Sequence, residues 1–102
     1  MSMTIYESGS LVTTSAAYVN EAGAPTDPTV VTLKYKKDAG SVTTAIYPAS
    51  PVVKDSTGNY HADLDSSGFA GPGLQQWFVE WVGTGAVTGI EFDAWKVRPP
   101  LL

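Results

Sequence analysis

The chain of 102 residues carries 43% apolar and 16% charged residues, one histidine and no cysteine. Its length fits one ordinary domain, its apolar share is too high for a disordered chain, and no apolar run approaches the roughly 20 residues of a membrane helix. A formal net charge of −4 argues against a nucleic-acid binder, which needs Lys and Arg to displace phosphate counterions, and the lack of cysteine excludes disulfides, thiolate catalysis and zinc–thiolate sites.

Met1 to Glu7 has neither a basic region nor an apolar stretch, so we expect no signal peptide and synthesis in the cytoplasm. Ser8-Gly9-Ser10 then breaks the chain, and Leu11 to Val19 is the first candidate strand. Asn20 to Pro28 is a loop rich in turn formers. Thr29 to Lys37 alternates, with Val31, Leu33 and Tyr35 on one face and Thr32, Lys34 and Lys36 on the other. Asp38-Ala39-Gly40 signals a hairpin into Val42 to Tyr47. Val52-Val53 is short, and the neighbouring Pro51 suggests an edge.

After the turn Asp55 to Asn59, Tyr60 to Asp65 alternates Tyr60, Ala62 and Leu64 against His61, Asp63 and Asp65. A Gly/Ser/Pro loop follows from Ser66 to Gly73. Leu74 to Val82 carries Trp77, Val79 and Trp81 on one face and Phe78, Glu80 and Val82 on the other. Gly83-Thr84-Gly85 is a tight connection, and Thr88 to Val97 closes the series, with Trp95 opposite Ile90, Phe92 and Ala94. Arg98-Pro99-Pro100-Leu101-Leu102 cannot be a central strand, because proline lacks the amide donor. About seven short strands in this length predict an all-β, immunoglobulin-like antiparallel sandwich, with a small barrel as the alternative. One domain over 1–102 is expected, with 1–8 and 98–102 as extended arms.

Few constellations could carry chemistry. His61, Asp63 and Asp65 share one strand face and could hold a divalent metal, but a solvated outer face is the favoured reading because no further ligand cluster completes the shell. Asp63 to Gly68 mimics the start of a calcium loop, yet the position needing a bidentate Glu is Leu74. No Ser lies in a nucleophile motif, and the Gly-rich segments lack a phosphate-loop Lys. We therefore expect no enzyme, no catalytic residue, no metal and no cofactor.

The interaction candidates are few. Lys34, Lys36 and Lys37 form a basic patch that either solubilises an edge or meets an acidic partner. Trp77 and Trp81 suit a sandwich core, although an exposed Trp would suit sugar stacking in a carbohydrate-binding module. Trp95 covers the sandwich edge or anchors an interface. Met3, Ile5, Tyr6, Pro99, Pro100, Leu101 and Leu102 are candidate contacts at the termini, since extended arms add strands to a neighbour's edge.

The stretch Asn20-Glu21-Ala22-Gly23, Asp27-Pro28-Thr29, Val31-Thr32-Leu33-Lys34, then Val53 to Asp63, then Trp77 and Trp81 before Gly83-Thr84-Gly85-Ala86-Val87, resembles small Ig-like proteins encoded among the virion genes of tailed bacteriophages and prophages. The resemblance runs from about Leu11 to Val97. Those proteins carry a basic residue where this chain has Glu80, and their counterpart of Ser66 to Gln76 is shorter, so contacts they make there are not carried over. The resemblance implies a non-catalytic structural protein of a phage virion, on the capsid surface as a decoration or cement protein, or at the head–tail neck as a connector-associated protein. Its implied partners are phage capsid or neck proteins, in multiple copies or as a homo-oligomer on a symmetric particle, with no nucleic acid and no membrane.

Overall fold

The computed structural model of the protein describes residues 4–38 and 40–101. Among these residues there are eight strands and no helix: β1 (Ile5–Glu7), β2 (Leu11–Ala17), β3 (Val30–Lys37), β4 (Thr43–Ile46), β5 (Val52–Ser56), β6 (Asn59–Asp65), β7 (Gln75–Thr84) and β8 (Gly89–Arg98). They form one five-stranded sheet, ordered β1-β8-β7-β3-β4, and one three-stranded sheet, ordered β2-β6-β5. The two sheets do not close into a barrel. This order is that of an immunoglobulin-type sandwich, with β3, β7 and β8 facing β2, β6 and β5. The strands expected from alternation are all present, and β5 is an edge as Pro51 suggested.

The eighth strand was not legible from alternation, because β1 is only three residues long. Ile5, Tyr6 and Glu7 pair in parallel with Lys96, Val97 and Arg98, the one parallel pair among the described strands. Ile5 to Glu7 of the expected N-terminal arm are thus part of the chain's own sheet, and Arg98 ends β8 rather than starting a tail. The cause is aromatic packing: the Tyr6 ring meets Trp95 edge-on at 6.5 Å.

Period-2 alternation sends one face of each sheet inward. From the five-stranded sheet come Val31, Leu33, Trp77, Val79, Trp81, Trp95 and Val97; from the other come Val12, Ala16, Tyr60, Ala62 and Leu64. Trp77 stacks on Trp95 at 5.6 Å and lies parallel to Tyr35 at 6.3 Å. Trp81 crosses the sandwich and donates its indole N–H to the buried Thr14 hydroxyl at 3.0 Å. Fully burying each such ring stabilises the fold by roughly 1.5–3 kcal/mol or more, which is why the tryptophans dominate the core.

Two local devices join the loops to the core. Gly83 and Gly89 face each other across β7 and β8, and the Tyr18 ring lies against both. A Cβ on Gly83 would stand 2.6 Å from Tyr18 Cε1 and 2.9 Å from Pro28 Cγ. Burial, and less strongly the Glu91 carboxylate, push the Tyr18 phenol up to about 12. The second device is Asp27. One carboxylate oxygen accepts from the Gly58 amide at 2.7 Å and the Tyr60 hydroxyl at 3.1 Å, and the other accepts from Lys54 at 2.6 Å. The Lys54 hydrogen bond, followed by that from Gly58, holds the Asp27 carboxyl below its usual range.

Gly83→Ala should lower the urea midpoint by an amount equal to roughly 1–3 kcal/mol, the usual cost of overpacking; an unchanged midpoint would mean that Tyr18 can leave its seat without loss. Asp27→Asn should lower the melting temperature near neutral pH. Because the folded-state pKa of Asp27 is depressed, its contribution is complete above the ordinary carboxylate value of about 3.9 and is lost as pH falls through the lower folded value. The melting temperatures of wild type and Asp27→Asn should therefore converge in strong acid, and a constant gap down to the lowest pH would refute the assignment.

Candidate functional site

The outward face of the five-stranded sheet is the strongest candidate. Cross-strand register arranges it in rows. One row is Ile90, Val82, Thr32 and Ile46; the next is Phe92, Glu80, Lys34 and Thr44; the third is Ala94, Phe78 and Lys36. Ile5 and Lys96 share a further row beside Gln76. Phe92 is 76% exposed and Ile90 60%. Phe78, Ile46, Ile5 and Val30 are also exposed. Single exposed apolar residues are ordinary on a protein surface, but a contiguous group on one face marks a contact. Lys36 places its ammonium 5.7 Å from the centre of the Phe78 ring. A shallow groove of about 300 Å³ runs over this face, lined in part by Lys34, Lys36, Val42, Phe78, Glu80 and Phe92.

Lys34 and Lys36 thus stand outward in the middle of this face, as the alternation of β3 predicted. Lys37 is instead on the inward register, with its ammonium 4.8 Å from the Trp77 ring centre. The remaining candidates are redistributed. Trp77, Trp81 and Trp95 are 1%, 0% and 2% exposed, so none offers a ring to a sugar. This corrects Trp95 as an interface anchor: it stacks on Trp77 and is capped by Tyr6, which is itself half-buried against the core. Ile5, on the opposite register from Tyr6, is exposed. Pro99 is half-buried beside Gly71, whereas Pro100 and Leu101 are exposed. Met3 and Leu102 lie outside the described residues.

The interaction reading from sequence passed over Phe78, Ile90, Phe92, Ile46 and Lys96. The signal was present in the register: once Trp77 and Trp95 point inward, Phe78 and Ala94 must point outward, and Ile90 and Phe92 follow by parity.

His61 lies on the outward face of the opposite sheet. Its Nδ1 is 2.6 Å from the Asp55 carboxylate and its Nε2 is 3.8 Å from that of Asp63. Asp63 also accepts from the Thr13 hydroxyl. Asp65 accepts from the Ser67 amide, which holds the Asp65 carboxyl below its usual range. Asp65 is thus engaged by the following turn, and Asp55, from the paired strand β5, stands beside His61 instead. Among the described residues no group of three or more His, Asp or Glu is arranged to hold a metal ion. No family model, no curated protein and no solved structure matches the chain.

A second surface feature is the open flank between the sheets. Among the described residues, β1 covers only the end of β8, leaving Gly89 to Ala94 with β7 on one side alone. Glu91 and Asp93 hold inward register there, opposite Trp81 and Val79, yet remain exposed. Asp93 accepts from the Ala94 amide at 2.9 Å, and Glu91 lies 3.4 Å from the Ala17 amide on the edge strand β2. Inward-pointing charges of this kind deter a foreign strand from joining an edge. The double variant Glu91→Thr, Asp93→Thr should therefore aggregate faster than wild type by light scattering, with no fall in secondary structure beforehand. Equal rates would remove the protective role.

Proposed function

We propose that the chain is a non-catalytic structural protein of a bacteriophage virion, made in the host cytoplasm and bound to the assembled head as a decoration or cement protein through the outward face of its five-stranded sheet. The observation that carries the reading is the exposed group of Phe92, Ile90 and Phe78 on one face of regular strands. A rigid sheet presents such side chains with little ordering cost on association. Large aromatics at the centre of a patch dominate binding energy.

The sequence resemblance supports the same reading from another side. Residues that carry it, Asp27, Lys54, Gly58 and Tyr60, are joined in one hydrogen-bonded clamp. Trp77 and Trp81 are core. Much of what the chain shares with the phage proteins is therefore scaffold, and the exposed phenylalanines of the attachment face come from alternate positions of the same strands. Multiple copies on a symmetric particle would each use this face once.

Quantitative mass spectrometry of purified particles tests the reading. Copies comparable in number to the major capsid protein are expected for decoration of the shell. A number that corresponds to a single ring would move the protein to the head–tail neck, and absence from particles would overturn the proposal. Phe92→Asp should reduce occupancy by about tenfold or more while the melting temperature stays unchanged; full occupancy would exclude this face as the attachment surface.

A further inference from the structure

We propose that the surface met by this face is an acidic protein surface, whose carboxylates pair with Lys34, Lys36 and Lys96 around the apolar centre of Phe92, Phe78 and Ile90. The inference rests on the attachment reading above and specifies the chemistry of its partner.

The argument is one of charge segregation. The chain has six basic residues and a net charge of −4. Yet Lys34, Lys36, Lys96 and Arg98 all stand on the outward face of the five-stranded sheet. The acids on that face are Glu80 and Glu7, and Glu7 is 3.5 Å from Arg98 in an ion pair. The face is therefore positive in an otherwise acidic molecule. Lys34 shares a row with Phe92, Glu80 and Thr44, and the Lys36 ammonium lies 5.7 Å from the centre of the Phe78 ring, so these lysines belong to the same part of the face as the apolar centre. Such a layout steers an acidic surface into place and rejects a basic one.

Three other occupants fit less well. Two copies meeting face to face would oppose two surfaces of the same net positive sign, which works against their association. The chain's own acidic face, with Asp55, Asp63 and Asp65, has its carboxylates engaged with His61, Thr13 and the Ser67 amide. Its exposed apolar residues Leu11 and Val53 belong to β2 and β5, on opposite sides of β6, and form no centre to oppose Phe92. A nucleic acid would gain the lysines but meet the acidic remainder of the molecule at long range.

Zero-length carbodiimide cross-linking of purified particles tests the proposal, because it joins only amines and carboxylates in direct contact. The expected result is peptide links from Lys34, Lys36 or Lys96 to Asp or Glu of an abundant virion protein. The double variant Lys34→Gln, Lys36→Gln should lose occupancy by about tenfold or more with little change in melting temperature, and wild-type attachment should weaken as salt rises. Links from these lysines to Asp55, Asp63 or Asp65 of a second copy would overturn the proposal in favour of head-to-tail stacking. Links to the shell from Lys54 alone, or occupancy indifferent to the double variant, would also overturn it while leaving the chain a virion protein. A gel shift of a short DNA duplex by wild type, abolished in the double variant, would make the anion a nucleic acid. Absence of the chain from particles would remove the attachment reading and this inference together.

Discussion

The aromatic column of Tyr35, Trp77, Trp95 and Tyr6 sets the orientation of the five-stranded sheet. It runs across β3, β7, β8 and β1, with successive centroids 6.3, 5.6 and 6.5 Å apart. No register that exposed those rings could compete with burying them, because each carries a large apolar area. Once they face inward, strand alternation has no freedom left. Phe78, Phe92 and Ile90 must face outward, and so must Lys34, Lys36 and Lys96. A slip of one residue would exchange the two faces entirely. The surface proposed for attachment is in this sense a consequence of the core.

The same column explains the short parallel strand at the N-terminus. β8 is ten residues long, and its last part carries Trp95 and Val97 on the inward side. Tyr6 and its neighbours cover that end by pairing with Lys96 to Arg98. The rest of the β8 edge is left to Glu91 and Asp93, whose carboxylates occupy the flank. One strand thus combines three tasks on three sections and faces: core packing, edge protection and an outward apolar surface. Its composition, with Glu91, Phe92 and Asp93 in succession, reflects that division.

Charge follows the two-sheet layout. The β5–β6 side gathers Asp55 and Asp63 around one histidine, while the β3–β7–β8 side gathers lysines around exposed phenylalanines. These clusters have different partners. The carboxylates are engaged within their own sheet and its turns, whereas Lys36 leans on an aromatic ring that is itself exposed. The apolar centre bordered by cations is the part of the molecule with unspent binding capacity, and it is what the proposed role uses.

Much of this architecture was legible in the chain. Alternation in Thr29 to Lys37, Tyr60 to Asp65 and Leu74 to Val82 identified strands and their inward faces, because a half-buried strand must repeat every second residue. Turn residues marked most boundaries for an equally local reason: backbone geometry selects them. The rest depended on contacts distant in sequence. Tyr6 reads from sequence as a terminal contact, and Trp95 as either an edge cover or an interface anchor; the pairing of β1 with β8 is what joins the two rings in the core. Asp55 joins His61 only through hairpin pairing, and Gly83, which reads from sequence as part of a tight connection, is required by the Tyr18 ring packed against it. Which exposed residues form one surface was likewise decided by strand order, since Phe92, Phe78, Lys34 and Ile46 come from four different strands. Local periodicity determines which side of its own strand a residue takes. Only tertiary pairing decides which strands lie side by side, and so which side chains act together.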